Sequence, residues 1–195
     1  MPRTAEIVRK TKETEIRVKL TLEGKGESKI QTNIGFFDHM LQTLARHGQF
    51  DLEIDAKGDL QTGDHHTVED VGICLGEAFK KAVGDKKGIV RFGAAYCPMD
   101  EALARAVVDL SGRPHFEYEM PIAFHGIGNF QGDSAVEFFG AFANAGGNTV
   151  HLDLLRGANL HHGIEAMFKA LALALKKAVQ IQADVHSIPS TKGAL

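Results

Sequence analysis

The stretch NLHHGIEAMFKALALALKKAV, residues 159–179, decides how the rest of the chain is read. Asn159 is a helix-capping residue type, and behind it Ile164, Met167, Phe168 and Leu171 recur at the spacing of one helical face. That stripe is core at a helix contact. Just inside the cap stands His161-His162-x-x-Glu165. The same frame, His65-His66-x-x-Glu69, lies in DHHTVED at 64–70 and opens a second long pattern, HHTVEDVGICLGEAFKKAV, which Gly84 stops. Asp64 is the candidate N-cap of that helix. Four of the ten histidines are thus spent on two adjacent pairs, each with a glutamate at the same distance.

Outward from these helices the correspondence continues. EALARAVVDLSG (101–112) matches ETEIRVKLTLEG (13–24), with an arginine and a closing Leu-x-Gly in register. EIRVKLTLEG (15–24) and FDLEIDA (50–56) alternate apolar and polar residues as strands do, and FFDHMLQTLARHG between them has helical spacing and stops at the glycine after His47. In the second half PHFEYEM and TVHLDLLRG are strand-like, while GDSAVEFFGAFANAGG reads as a helix with a Ser134/Glu137 capping box. GIGNFQGD (126–133) lacks the frame of a dinucleotide-binding turn and reads as a loop. Two halves, 1–90 and 91–195, each ordered strands-helix-strand-helix, make an internal duplication. The fold class that follows is α+β and pseudo-twofold: two sheets, each covered on one face by two amphipathic helices, with the helical faces packed together.

Composition sets the outer limits. A chain of 195 residues, 44% hydrophobic and 24% charged, can bury one sizeable core or two small, intimately packed halves. A net charge of -3 gives no basic excess for a nucleic-acid backbone. No apolar leader and no run of membrane-spanning length is present, so the expected setting is the cytoplasm, with no membrane partner. Cys74 and Cys97 are far apart, in no metal-binding or redox frame, and read as small core residues.

Helix geometry supplies the chemistry. Residues four apart share a face, so His65 with Glu69, and His161 with Glu165, can each offer one imidazole nitrogen and one carboxylate oxygen to a metal ion. Their neighbours His66 and His162 diverge by about 100° around the helix and can reach a different ion. His39, at a helix start, and His151, in a strand, are the best unassigned imidazoles, which would give three imidazoles and one carboxylate per ion. Read singly, each has a plainer alternative: a helix-start histidine facing solvent, or a core histidine beside Asp38. His47 suits a helix C-terminus, and His115, His125 and His186 have no motif that lifts them above surface polar residues. Imidazole-rich sites without cysteine are catalytic or substrate-binding more than structural, and their softness admits zinc, iron, cobalt, nickel or manganese. A subunit-stapling metal protein and a di-metal phosphoesterase are the rival classes.

FFDHMLQTLARHG, GDHHTVED, KKGIVRFG, PMDEAL, DLSGRP, NLHHGIEAMFKA and IPSTKGAL, in this order along nearly the whole chain, resemble the imidazoleglycerol-phosphate dehydratase family in its monofunctional form. The resemblance implies helices packed between two four-stranded mixed sheets. It implies elimination of water from imidazole glycerol phosphate to give imidazole acetol phosphate in histidine biosynthesis, with two manganese ions per active site. It implies twenty-four subunits, with active sites built between them and the C-terminal tail, 185–195, in the site. Glu13 matches a substrate-contacting glutamate; Glu13, Glu69, Glu165 and His39 are the candidates for moving the proton. Arg91, Arg113, Ser190, Thr191 and Lys192 match phosphate-binding positions, and Lys169, one turn after Glu165, is a further candidate for the site. Outside those motifs, each cation is an ordinary surface residue.

Overall fold

The computed structural model describes residues 2–195. The first half runs β1 (Thr4–Lys10), β2 (Thr14–Thr21), β3 (Ser28–Gln31), α1 (Gly35–Gly48), β4 (Asp51–Gly58) and α2 (His65–Val83). The second runs β5 (Phe92–Met99), β6 (Ala102–Asp109), β7 (His115–Glu119), the short β8 (Gly126–Ile127) and β9 (Phe130–Gln131), α3 (Ser134–Gly146), β10 (Thr149–Arg156) and α4 (Leu160–Ala178). The two main sheets share one topology, β1-β2-β4-β3 and β5-β6-β10-β7. In each, the last pair is parallel and the rest antiparallel. The α+β class and the two helix-covered mixed sheets follow the sequence expectation.

Alternation fixes which face of each sheet meets the helices. Ile16, Val18 and Leu20 of β2 are buried, as are Ala102, Ala104, Ala106 and Val108 of β6. Small residues on β6, and Gly93 of β5 against the Ala174 carbonyl, let α4 lie close on its sheet. The helix layers then meet each other: α1 packs on α4 and α2 on α3. Gly72 and Gly76 of α2 face the carbonyls of Phe138 and Phe142, where a Cβ would come within 2.8 and 2.6 Å. Aromatic rings fill the seam, with Phe138 stacked on Phe168 at 5.2 Å and Phe79 edge-on to Phe142 at 5.6 Å. Each such ring contributes roughly 1.5–3 kcal/mol by leaving water. Ile164, Met167, Phe168 and Leu171 are all fully buried, as the opening stretch requires.

Several local expectations are corrected. Asp64 occupies the N-cap position of α2 but makes no cap bond; its carboxylate accepts from the Gln131 N–H (2.7 Å) and Ser134 Oγ (3.1 Å). Ser134 is thereby engaged elsewhere and is the first helical residue of α3, so no Ser134/Glu137 capping box forms; Asp133 is the residue ahead of the helix. Asn159 does cap α4, accepting from the His161 and His162 N–H groups. GIGNFQGD contains a small hairpin turning at Gly128, and its Phe130 is fully buried against Phe36 and Phe37. The pattern for α1 ends one residue late: Gly48 is still helical, and Gln49, left-handed at φ 55°, ends it.

Candidate active site

The starts of the long helices carry the candidate ligand side chains, and Asn159 and the Asp64 crosslink fix the backbone there. At the start of α4, His39 from α1 meets the motif of the other half: His39 Nε2 lies 3.4 Å and His161 Nε2 3.2 Å from Glu165 Oε2. One donor atom from each of these three residues falls within 4.8 Å of the others. Glu165 is buried, and its second oxygen takes the Lys169 Nζ at 2.7 Å. Burial would raise its carboxyl, but the Lys169 bond and charge, with His39 and His161, outweigh that and hold it below the usual range. Lys169 also reaches Met99 Sδ at 3.2 Å.

The start of α2 is more open. His65 Nε2 stands 3.8 Å from Glu69 Oε2, with both side chains largely exposed. His66 turns away, as the helical angle requires, and places Nδ1 3.1 Å from both oxygens of Asp59 and 4.0 Å from Glu13 Oε2. His162 likewise turns from His161 and places Nδ1 2.7 Å from Glu101 Oε2. The His162 bond, with the N–H groups of Asn159 and Ala158, pulls the Glu101 carboxyl down to about 2.

A third group lies elsewhere. Arg91, Arg113, Ser190, Thr191 and Lys192 line one open cavity of about 620 Å³ with the tail residues Ser187, Ile188 and Pro189. Arg91 grips Asp109 through Nε (2.7 Å) and Nη2 (3.0 Å) and donates Nη1 to the Pro189 carbonyl (2.7 Å), so it anchors the tail, while Arg113 and Lys192 stay exposed. Lys86 is close by, near Gly112 and Leu195; burial, then Lys80, lowers its ammonium. This cavity sits at the far end of α4, since the Arg91 N–H bonds the Ala178 carbonyl. From His161 to Ala178 is seventeen residues of helix, about 25 Å. His151 joins neither cluster: Val150, Leu152 and Leu154 of β10 point into the core, so His151 faces the opposite side of the sheet, beside His115.

The family model for imidazoleglycerol-phosphate dehydratase matches residues 32–175. The chain belongs to that family. Imidazoleglycerol-phosphate dehydratase from Paraburkholderia phytofirmans is 54% identical over 194 residues, covering 99% of this chain and all of the relative. That from Caldanaerobacter subterraneus is 55% identical over 193 residues, with 99% and 100% covered. Among solved structures, the dehydratase from Staphylococcus aureus has a TM-score of 0.83 at 38% identity, covering 92% of this chain and 99% of that one. The dehydratase from Pyrococcus furiosus, in complex with (S)-C348, has a TM-score of 0.84 at 38% identity, covering 97% and 100%.

Membership makes the chain a hydro-lyase, and the donor chemistry fits the metal such an enzyme would hold. Two imidazoles and one carboxylate converging in the α4 cluster suit a borderline divalent ion. No described helix is long and apolar enough to cross a membrane. Two residues at the histidine pairs escaped the sequence reading. Glu101 was findable, since it stands in register with Glu13 when 101–112 is laid on 13–24. Asp59 was not, because its counterpart after β10 is Gly157.

Proposed function

We propose that the chain catalyses the manganese-dependent elimination of water from imidazole glycerol phosphate, giving imidazole acetol phosphate, in the cytoplasm. The observation that carries this reading is the convergence of His39, His161 and Glu165 from both halves of the chain onto one point. His65 and Glu69 with Glu13 nearby, and the outward His66 and His162, supply the remaining donors; His151 enters an ion only across a subunit boundary. Two manganese ions per active site supply Lewis acidity to the imidazole ring and to the departing hydroxyl. Glu13, half-exposed in the turn between β1 and β2 and 4.0 Å from His66 Nδ1, is the residue we assign to the proton next to the ring, since Glu69, Glu165 and His39, the alternatives, are each assigned as ligands.

Arg113 and Lys192, with Ser190 and Thr191, hold the phosphate, and Arg91 positions the tail that presents them. These groups and the α4 cluster of one chain are separated by about 25 Å of helix. One sugar-sized substrate cannot span that, which supports active sites assembled between chains and, with the family resemblance, a shell of twenty-four subunits. Lys169, tied to Glu165, borders the metal side of such a site.

The test is incubation of the purified protein with imidazole glycerol phosphate, with manganese and after chelation. A keto product that appears only with manganese supports the proposal. Free phosphate instead would make the protein a phosphoesterase, and metal binding with no turnover would make the ions subunit staples.

A further inference from the structure

The second histidine of each pair is the part of the motif that neither cluster uses. His162 and His66 both give Nδ1 to a carboxylate, Glu101 at 2.7 Å and Asp59 at 3.1 Å. Each carboxylate is itself held. Glu101 Oε1 accepts the Ala158 and Asn159 N–H groups at 3.2 and 2.9 Å, which ties the turn before β6 to the start of α4. Asp59 Oδ2 accepts Thr62 Oγ1 at 3.1 Å. The two carboxylates are not repeat equivalents: Glu101 corresponds to Glu13, and Asp59 to Gly157. The halves therefore make the short Nδ1 contact from different elements, while the longer approach of Glu13 to His66 Nδ1, 4.0 Å, is the repeat counterpart of the His162–Glu101 pair.

An ionised carboxylate only accepts hydrogen bonds, and a neutral imidazole carries one N–H. The proton of His162 and of His66 must then sit on Nδ1, which fixes the ring direction and leaves the Nε2 lone pair without a hydrogen bond, since Asp100 Oδ2 stands 3.9 Å from His162 Nε2, beyond hydrogen-bond reach. We propose that Glu101 and Asp59 are positioning residues that lock His162 and His66 as Nδ1–H tautomers and aim their Nε2 atoms outward as metal donors. This rests on the metal-dependent reading above. A ligand imidazole loses about 10–100-fold in metal affinity when such a partner is removed.

The test has two readings on the full-length protein. In metal-free protein labelled with ¹⁵N-histidine, at a pH where the imidazoles are neutral, long-range proton–nitrogen correlation should show His162 and His66 as Nδ1–H tautomers. Glu101→Ala and Asp59→Ala should each return their histidine to the Nε2–H form with the remaining spectrum unchanged. In a manganese titration the same variants should bind about 10–100-fold more weakly, while Asp59→Asn, which keeps an accepting oxygen, stays close to the native value. Should Glu101→Ala fail to fold, Glu101→Gln takes its place, with partial loss expected. Nε2–H tautomers in the native protein, or alanine variants that bind manganese as the native chain does, would overturn the positioning roles alone. A native protein that binds no manganese would overturn the metal reading, and this proposal with it.

Discussion

The two helix starts are built on one frame and differ in charge and exposure. At α4 the motif glutamate is buried and paired with Lys169; at α2 Glu69 is exposed, and Ile73 stands where Lys169 would be. His39 lies ten residues before the left-handed Gln49 that ends α1, and ten residues before the left-handed Gly147 that ends α3 is Glu137. The α4 cluster is therefore assembled and neutralised within one chain. The α2 cluster is acidic and open. Duplication kept the backbone positions and let the side chains at them diverge.

The largest expected difference is in stability without metal. Glu165→Ala leaves the half-buried Lys169 ammonium unpaired and should cost about 3–5 kcal/mol in urea unfolding of the EDTA-treated protein. Glu69→Ala, at the equivalent but exposed position, should stay within about 0.5 kcal/mol. Equal losses would erase the distinction between a closed and an open cluster.

A second contrast lies in how the two helices are started. Asp64 is buried and bridges α2 to the β9–α3 segment, whereas Asn159 caps only its own helix. Asp64→Ala, which strands the buried Ser134 hydroxyl and the partly buried Gln131 N–H, should cost about 2–3 kcal/mol. Asn159→Ala should cost about 1 kcal/mol. Thermal or denaturant melts of the two variants compare them directly, and a reversed order would mean that the crosslink does not hold the two helices together.

The smallest effect is in proton binding. In the metal-free protein the Glu101 bond raises His162 and the Asp59 bond raises His66, while burial, followed by the Lys169 charge, lowers His47. A raised histidine stabilises the fold fully below its unfolded value of about 6.5 and loses that contribution as pH climbs through the folded value. His47 has the opposite sign: its contribution is present above about 6.5 and fades as pH falls through its lowered value. Proton NMR titration should place His162 and His66 above an ordinary histidine and His47 below it. Both pairs at the helix starts are partly exposed, so the shifts should also shrink with salt. Identical titration of all three would show that the partners in the helix starts do not engage their histidines in solution.

What was legible in the sequence was what repeats or alternates. Two His-His-x-x-Glu frames and the register of Arg17 with Arg105 carried the duplication, and the stripe from Ile164 to Leu171 carried the core. The edge strands β1 and β5 went unread. Val8 of β1 is exposed, and β5 contains Gly93 and Pro98, residues that read as strand breakers yet suit an edge, where one side of the ladder needs no donor. Asp64 was misread for a physical reason: a side chain able to cap is equally able to reach across to Gln131 and Ser134, and only the packing of α3 decides between them. The distance between the Arg91 cavity and the α4 cluster was also invisible. It depends on the chain after α4 returning to Arg91, which no local pattern encodes.

The cross-pairing of helices has one more consequence. Because α1 rests on α4 and α2 on α3, no helix finds its partner within its own half, and a lone half would expose one flank of both its helices. The halves hold each other as two subunits do, and the polypeptide that joins them passes through an exposed turn, Gly84-Asp85-Lys86-Lys87, outside both sheets. The molecule is in effect a fused homodimer. Fusion releases it from the constraint that a true homodimer obeys, in which every change appears twice; here His39 stands at one position and Glu137 at its repeat counterpart, so a repeated scaffold carries two unlike helix starts.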